Sequence, residues 1–331
     1  MRPYSDTSVD VHNLDGGETE RGPKMTEEDR RWPALPLEAW EPTRATLHMW
    51  TQIVGKVRLA LSPYMNHWWQ VPLYVTARGL TTSPIPYDGE TFEILFDFIE
   101  HDLLIQKANG TAKTLRLAPR SVAEFYADVM AALRSMDIAV KIWTMPVEIP
   151  NPIPFDEDRT HAAYDPDYAN RFWRILVSAD AILKEFRGRF IGKASPVHFF
   201  WGSFDLAVTR FSGRRAPEIP GADLITREGY SHEVSSVGWW PGDELVKDPA
   251  FYSYAAPQPS GFPKAPVRPA AASYNTDLSQ FLLSYDDVRE AASPRQALLE
   301  FCQSTYEAAA TLGKWNRADL EHNGGHSPPG L

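Results

Sequence analysis

The chain has a single cysteine, Cys302, among 331 residues. One thiol cannot form an internal disulfide or a Cys-rich zinc site, so neither a disulfide scaffold nor a zinc finger is available. Long apolar runs are also missing. Charges interrupt even the greasy segment from Phe92 to Ile105, well short of the roughly 18 apolar residues that span a bilayer. Positive charge is in deficit, with 33 Lys+Arg against 43 Asp+Glu and a formal net charge of -10. Such a balance repels phosphate backbones and anionic membrane surfaces. Neither nucleic acid nor a membrane is therefore an expected partner. The polar N-terminus lacks the basic-then-apolar pattern of a secretory signal, which leaves the cytoplasm as the expected location. There is no HExxH, no Cys/His zinc spacing, no GxSxG elbow, and no GxGxxG or P-loop between a strand and a helix. The sequence thus assigns no metal and no cofactor, and gives nucleotide binding no support.

What is present is an ordinary globular composition, 43% hydrophobic and 23% charged, with 11 Trp and 28 Pro as its unusual features. The length favours two domains, or one body made of two halves. Residues 1–31 and 321–331 are too polar to offset their ordering entropy and are expected to be flexible tails. Between them the expected order is a first half over 32–150, a Pro-rich acidic linker over 151–166 and a second half over 167–320 with long loop insertions.

Leu47, Trp50, Val54, Val57 and Leu61 recur at helical steps, predicting a helix from about Thr43 to Leu61. The segment His67 to Arg78 is rich in β-formers and reads as a strand. Phe92–Glu100, Leu103–Lys107 and Lys113–Leu117 read as a meander, with Asn109-Gly110 as its hairpin signal. Ser121 and Glu124 have capping-box spacing ahead of a helix, and Ile138–Trp143 reads as a further strand. A second long helix follows, from Pro166 to about Phe190. Strands near Val234–Trp240, Phe251–Tyr254 and Phe281–Ser284 and a helix from Pro294 to Leu312 complete the chain. Ser62-Pro63 before His67-Trp68-Trp69 is echoed by Ser195-Pro196 before His198-Phe199-Phe200. Both copies follow a long amphipathic helix, which suggests a degenerate duplication. The expected fold is α+β: two related halves, each an antiparallel sheet flanked by helices, with an aromatic-rich cleft between them.

The segments WPALPLEAWEPTRATLHMWTQIVGK, HWWQVPLYVTARGLTTSPIPY, PFDEDRTHAAYDPDYA, HFFWGSFDLAVTRFSGRRAP and SHEVSSVGWWPG carry a resemblance. From Trp32 to about Leu320 the chain resembles a family of uncharacterised bacterial proteins known only as a domain of unknown function. The resemblance implies no activity, cofactor or site residue, so chemistry must be argued from the residues.

Histidine is the side chain that titrates near neutral pH. His67 and His198, each ahead of two aromatics, are candidate acid/base groups in a cleft between the halves. They could equally be packed strand-end histidines. His161 lies in Phe155–Tyr164, where it could act as a base oriented by a carboxylate or join the carboxylates in holding a divalent metal, with Asp158 and Tyr164 as substrate-binding candidates; the segment could equally be a solvated linker with an acidic helix entry. His232 precedes Glu233, and neighbours on a strand face opposite ways, so the two cannot share one ligand without a bulge. Arg210, and Arg78 at the matching place in the first half, could fork onto an anionic substrate or pair with surface acids. Trp69 and Trp201 could wall a pocket, although most tryptophans belong to cores. The expected function is an enzyme acting on a small anionic molecule by histidine acid/base chemistry, with or without a metal. A non-catalytic small-molecule binder and a protein-interaction scaffold are the alternatives, and the oligomeric state is left open.

Overall fold

A computed structural model of the chain describes residues 31–243 and 246–322. The expected tails lie almost wholly outside these residues. Arg31, Glu321 and His322 are exceptions: the Arg31 carbonyl accepts from Ser178, Glu321 accepts from Arg317 and Tyr306, and the His322 amide donates to the Arg189 carbonyl, so the body reaches further than expected.

Helix α1, Leu37–Leu61, carries the predicted stripe but begins a turn and a half earlier, with Pro42 inside it. One lost amide donor is tolerable there because Trp40 is fully buried and stacks on Phe172, 5.4 Å between centroids. Strands β1 (Tyr74–Val75), β2 (Gly79–Thr81), β3 (Ile85–Tyr87), β4 (Glu90–Asp97), β5 (Asp102–Lys107) and β6 (Ala112–Arg116) form an antiparallel sheet ordered β1-β2-β4-β5-β6, with β3 also on β4. Helix α2, Val122–Ser135, follows with both hydrogen bonds of the Ser121/Glu124 capping box in place.

The second half repeats this order. Helix α3, Pro166–Gly188, starts from an Asp165 cap with proline in its first turn. Strands β7 (His198–Phe200), β8 (Asp205–Arg215), β9 (His232–Trp240), β10 (Ala250–Ala256), β11 (Ser273–Asn275) and β12 (Gln280–Ser284) make a second antiparallel sheet, ordered β11-β12-β10-β9-β8-β7. Between β8 and β9 lies a short helix, α4, Leu224–Gly229. Helix α5 (Tyr285–Arg289), helix α6 (Pro294–Leu312) and a final turn α7 (Arg317–Leu320) close the chain. The architecture is α+β with two sheet halves.

The halves share one hydrophobic core and are stitched edge to edge by Leu73 and Phe199, whose amides and carbonyls exchange two 2.9 Å hydrogen bonds. Helix α1 also touches both halves. Gly55 sits where a Cβ would come within 2.3 Å of the Trp201 indole, so only glycine permits that approach.

Of two predicted strands, one is cut short and the other is absent among the described residues. His67 lies not in a strand but in a 3-10 turn, Asn66–Trp68, and pairing begins only at Tyr74. Pro72 has no amide to donate, and His67 and Trp68 both take positive φ, 59° and 60°. The proposed equivalence of His67 and His198 as starts of matching strands therefore fails. Ile138–Trp143 forms no strand either. At its end Lys56 Nζ takes the carbonyl of Trp143, at 3.1 Å, and just beyond it that of Met145, so a side chain satisfies backbone that a neighbouring strand would otherwise pair.

Candidate functional site

Alternation along the second sheet separates two faces. Leu206, Val208, Arg210, Val237, Trp239 and Phe251 meet helices α3 and α6, while His198, Ala207, Thr209, Phe211, Ser236, Gly238 and Tyr252 point the other way. This outer face is covered by the Asn66–Trp68 turn and by α4, which pack on each other. His67 and His232, from remote stretches of chain, lie together at that cover, and His198 is joined to them only through Trp69.

His67 stands at the centre. Its Nδ1 faces the Glu228 backbone carbonyl at 2.8 Å, a pure acceptor, so Nδ1 carries the proton. Nε2 is left with a lone pair, and the Lys193 ammonium donates to it at 2.5 Å. His232 is tied to the same carbonyl through Ser231, whose Oγ donates to Glu228 O at 2.8 Å and lies 3.1 Å from His232 Nδ1. The rings of His67 and His232 are 6.0 Å apart. The Glu228 carboxylate turns away and accepts from the Tyr64 hydroxyl. Trp69 links this group to the interior, 5.3 Å from His67 and 5.9 Å from His198. The Lys193 ammonium rests over Phe211 and Trp69, 5.2 and 5.5 Å from their centroids.

The electrostatics follow from this crowding. Partial burial, with the charge of Lys193 and the neighbouring His232, holds His67 below the usual histidine range against the stabilising Glu228 carbonyl. His232 is lowered by burial and by the charges of Lys193 and Arg215. Burial also lowers the Lys193 ammonium. The group is thus a cationic patch with two neutral imidazoles on a protein of net negative charge. Its backbone is strained as well, since two successive non-glycine residues in the left-handed region persist only where packing enforces them.

His198 is fully buried, edge-on to Trp69, Tyr74 and Phe200, and neither ring nitrogen meets a protein partner. Burial, then the charges of Arg58 and Arg187, push it down to about 3. Further along the same face Tyr252 reaches over Gly238 to donate to Asp205, which also accepts from Ser203, and the hydroxyls of Tyr230 and Tyr254 meet at 2.9 Å. Gly238 is required because a Cβ there would lie 2.5 Å from the Tyr252 hydroxyl. Burial raises Asp205 despite those two hydrogen bonds.

Residues 32–322 match a family of unknown function, DUF5996. The chain belongs to that family. No curated protein and no solved structure matches it. The DUF5996 body therefore has to be interpreted from its own geometry.

Of the sequence candidates, this geometry gathers His67, His198, His232 and Trp69. The others lie elsewhere, each with a structural partner. His161 Nδ1 binds the Asp158 carboxylate at 2.7 Å, and the backbone carbonyls of both residues cap the start of α2, so these two residues of the acidic segment serve as a helix cap. Tyr164 is buried against Trp50, its hydroxyl 2.9 Å from His101 Nδ1. Arg78 pairs with Asp97 at 2.6 Å on the first sheet. Arg210 points to the helix face, where Phe186, Tyr306 and Phe190 enclose its guanidinium at 3.5, 4.3 and 5.0 Å. Trp201 is core, its indole donating to the Val71 carbonyl at 2.8 Å.

The cleft at the junction of the halves holds about 300 Å³ and is walled by Tyr74, Val75, Lys184, Arg187, Pro196 and Val197 with Asp180. It contains one aromatic ring and no indole, contrary to expectation, because Trp40, Trp50 and Trp239 are fully buried in the core. Lys193, Glu228, Arg58 and Tyr74 were not among the candidates. No local motif marks them, since each matters only through a neighbour far away in sequence.

Proposed function

We propose that this DUF5996 protein is an enzyme that binds a small anionic molecule over Lys193, His67 and His232 and moves a proton at His67 Nε2. The observation that carries the reading is the His67 pair of contacts: a carbonyl that fixes the tautomer, and an ammonium on the opposite nitrogen. An incoming carboxylate or phosphate attracts Lys193, which frees the Nε2 lone pair to take a proton from the ligand. Neutralising Lys193 also relieves the charge that disfavours the imidazolium, so ligand binding itself strengthens the base. Trp69 and Phe211 offer apolar walls for the rest of the molecule. No metal enters the reading, because among the described residues no group of three His, Cys, Asp or Glu side chains is placed to hold one.

The test is incubation of the protein with a pool of small acidic metabolites, read by mass spectrometry for both retention and conversion. A compound that is retained and converted by the wild type, retained but not converted by His67→Gln, and released by Lys193→Met fits the proposal. Retention without conversion makes the protein a binder. Neither retention nor conversion removes the reading.

A further inference from the structure

Helix α4 is six residues long and none of them is buried. Leu224 and Ile225 are 51% and 49% exposed. A helix this short is not stable on its own in water, and with so little apolar surface covered its position rests on polar ties. Glu228 makes two of them to the turn that α4 covers. Its carboxylate accepts from the Tyr64 hydroxyl, while its backbone carbonyl accepts from His67 Nδ1 at 2.8 Å. One residue of α4 thus grips the stretch from Tyr64 to His67 at both ends. The Tyr64 ring also meets Trp68 edge-on, 5.5 Å between centroids.

The gripped stretch ends in the two successive left-handed residues, His67 and Trp68, a backbone that persists only where its surroundings impose it. Tyr64 itself is 59% exposed, so its hydroxyl has no part in the core. Ser231 Oγ donates to the same Glu228 carbonyl and lies beside His232 Nδ1, so a shift of α4 reaches both imidazoles. We propose that Tyr64 is a positioning residue: through Glu228 it latches α4 over the turn, and release of the latch takes the carbonyl off His67 Nδ1 and frees both histidines. The proposal rests on His67 as the base of the site and makes α4 the lid of that base. Segments that open over a site come from the least stable parts of a fold, and α4 has that character.

The test uses the full chain, with amide hydrogen exchange to follow α4 and NMR to follow the ring nitrogens and the Nδ1–H proton of His67. Tyr64→Phe keeps the ring on Trp68 and removes only the hydroxyl. The amides of Arg227, Tyr230 and Ser231, which close α4, should then exchange roughly two- to fivefold faster, the effect of losing one exposed charged contact. The Nδ1–H signal of His67 should weaken with them, while residues 46–57 in the buried part of α1 exchange as before. Glu228→Ala should act like Tyr64→Phe, and Glu228→Gln, which keeps an acceptor for the hydroxyl, should behave as wild type. Unchanged exchange in both Tyr64→Phe and Glu228→Ala overturns the latch. Faster exchange of α4 with an unmoved His67 makes Tyr64 a mere tether and overturns its positioning role. No ligand enters these measurements, so a protein that converts no compound loses the base proposed above, whereas an unmoved His67 removes the latch.

Discussion

Replacing His198 by leucine should make the protein less sensitive to acid. Burial and the charges of Arg58 and Arg187 hold the folded imidazole at about 3, against 6.5 in an open chain. As pH falls through 6.5 the unfolded chain takes up a proton that the folded protein refuses. The resulting stability loss begins near that value and grows until the folded group itself titrates at about 3. Between about pH 7.5 and about pH 5.5 one such histidine costs about 1.4 kcal/mol. His48 adds a loss of similar size, because burial, opposed by the Gly202 carbonyl, brings it down to about 4; it is unchanged in the variant. Urea unfolding at the two pH values should therefore show His198→Leu losing about 1.4 kcal/mol less than wild type. At neutral pH the variant should be at least as stable, since it removes two buried nitrogens without partners, each costing about 1–3 kcal/mol. An identical acid loss in both proteins would refute the buried neutral imidazole. A loss of several kcal/mol at neutral pH would show that the ring nitrogens are satisfied.

Gly55→Ala gains about 1 kcal/mol of helix propensity but drives a methyl to within 2.3 Å of a buried indole. Overpacking costs about 1–3 kcal/mol and should prevail, so a lowered urea midpoint is expected and an unchanged one would place Trp201 elsewhere. Lys193→Met removes a cation from His67 Nε2 and should raise the pH at which His67 titrates by NMR; an unmoved titration would break the pair. Cys302 is fully buried and its thiol is pushed up to about 12 by burial. It should ignore thiol reagents in the native protein and react on unfolding, and rapid native labelling would contradict the packing of α6.

Much of the fold was legible locally. The stripes of α1, α2, α3 and α6, the Ser121/Glu124 box and the β4–β6 meander each rest on periodicity or capping within a few residues. Where the reading failed, long-range contacts decided. Residues 138–143 have strand composition, yet Lys56 takes the backbone carbonyl of Trp143 at their end and that of Met145 just beyond. His67 was expected at a strand start, but contact with α4 holds it in a left-handed turn.

The sequence alone determined the class of the molecule: a globular α+β chain with no cysteine framework, net negative charge and two helix–meander–helix passages. Which polar groups meet was decided only by tertiary structure. Arg78 and Arg210 look alike in sequence, yet one pairs with Asp97 on the first sheet and the other is enclosed by three rings beneath the second. Glu228 acquires its importance only because the connection between β8 and β9 returns across the outer face to His67, and Lys193 only because the segment before β7 passes the other side of the same ring. Periodicity records which face of an element is buried, whereas the identity of what covers that face depends on how separate elements dock, and no short window of sequence contains that information.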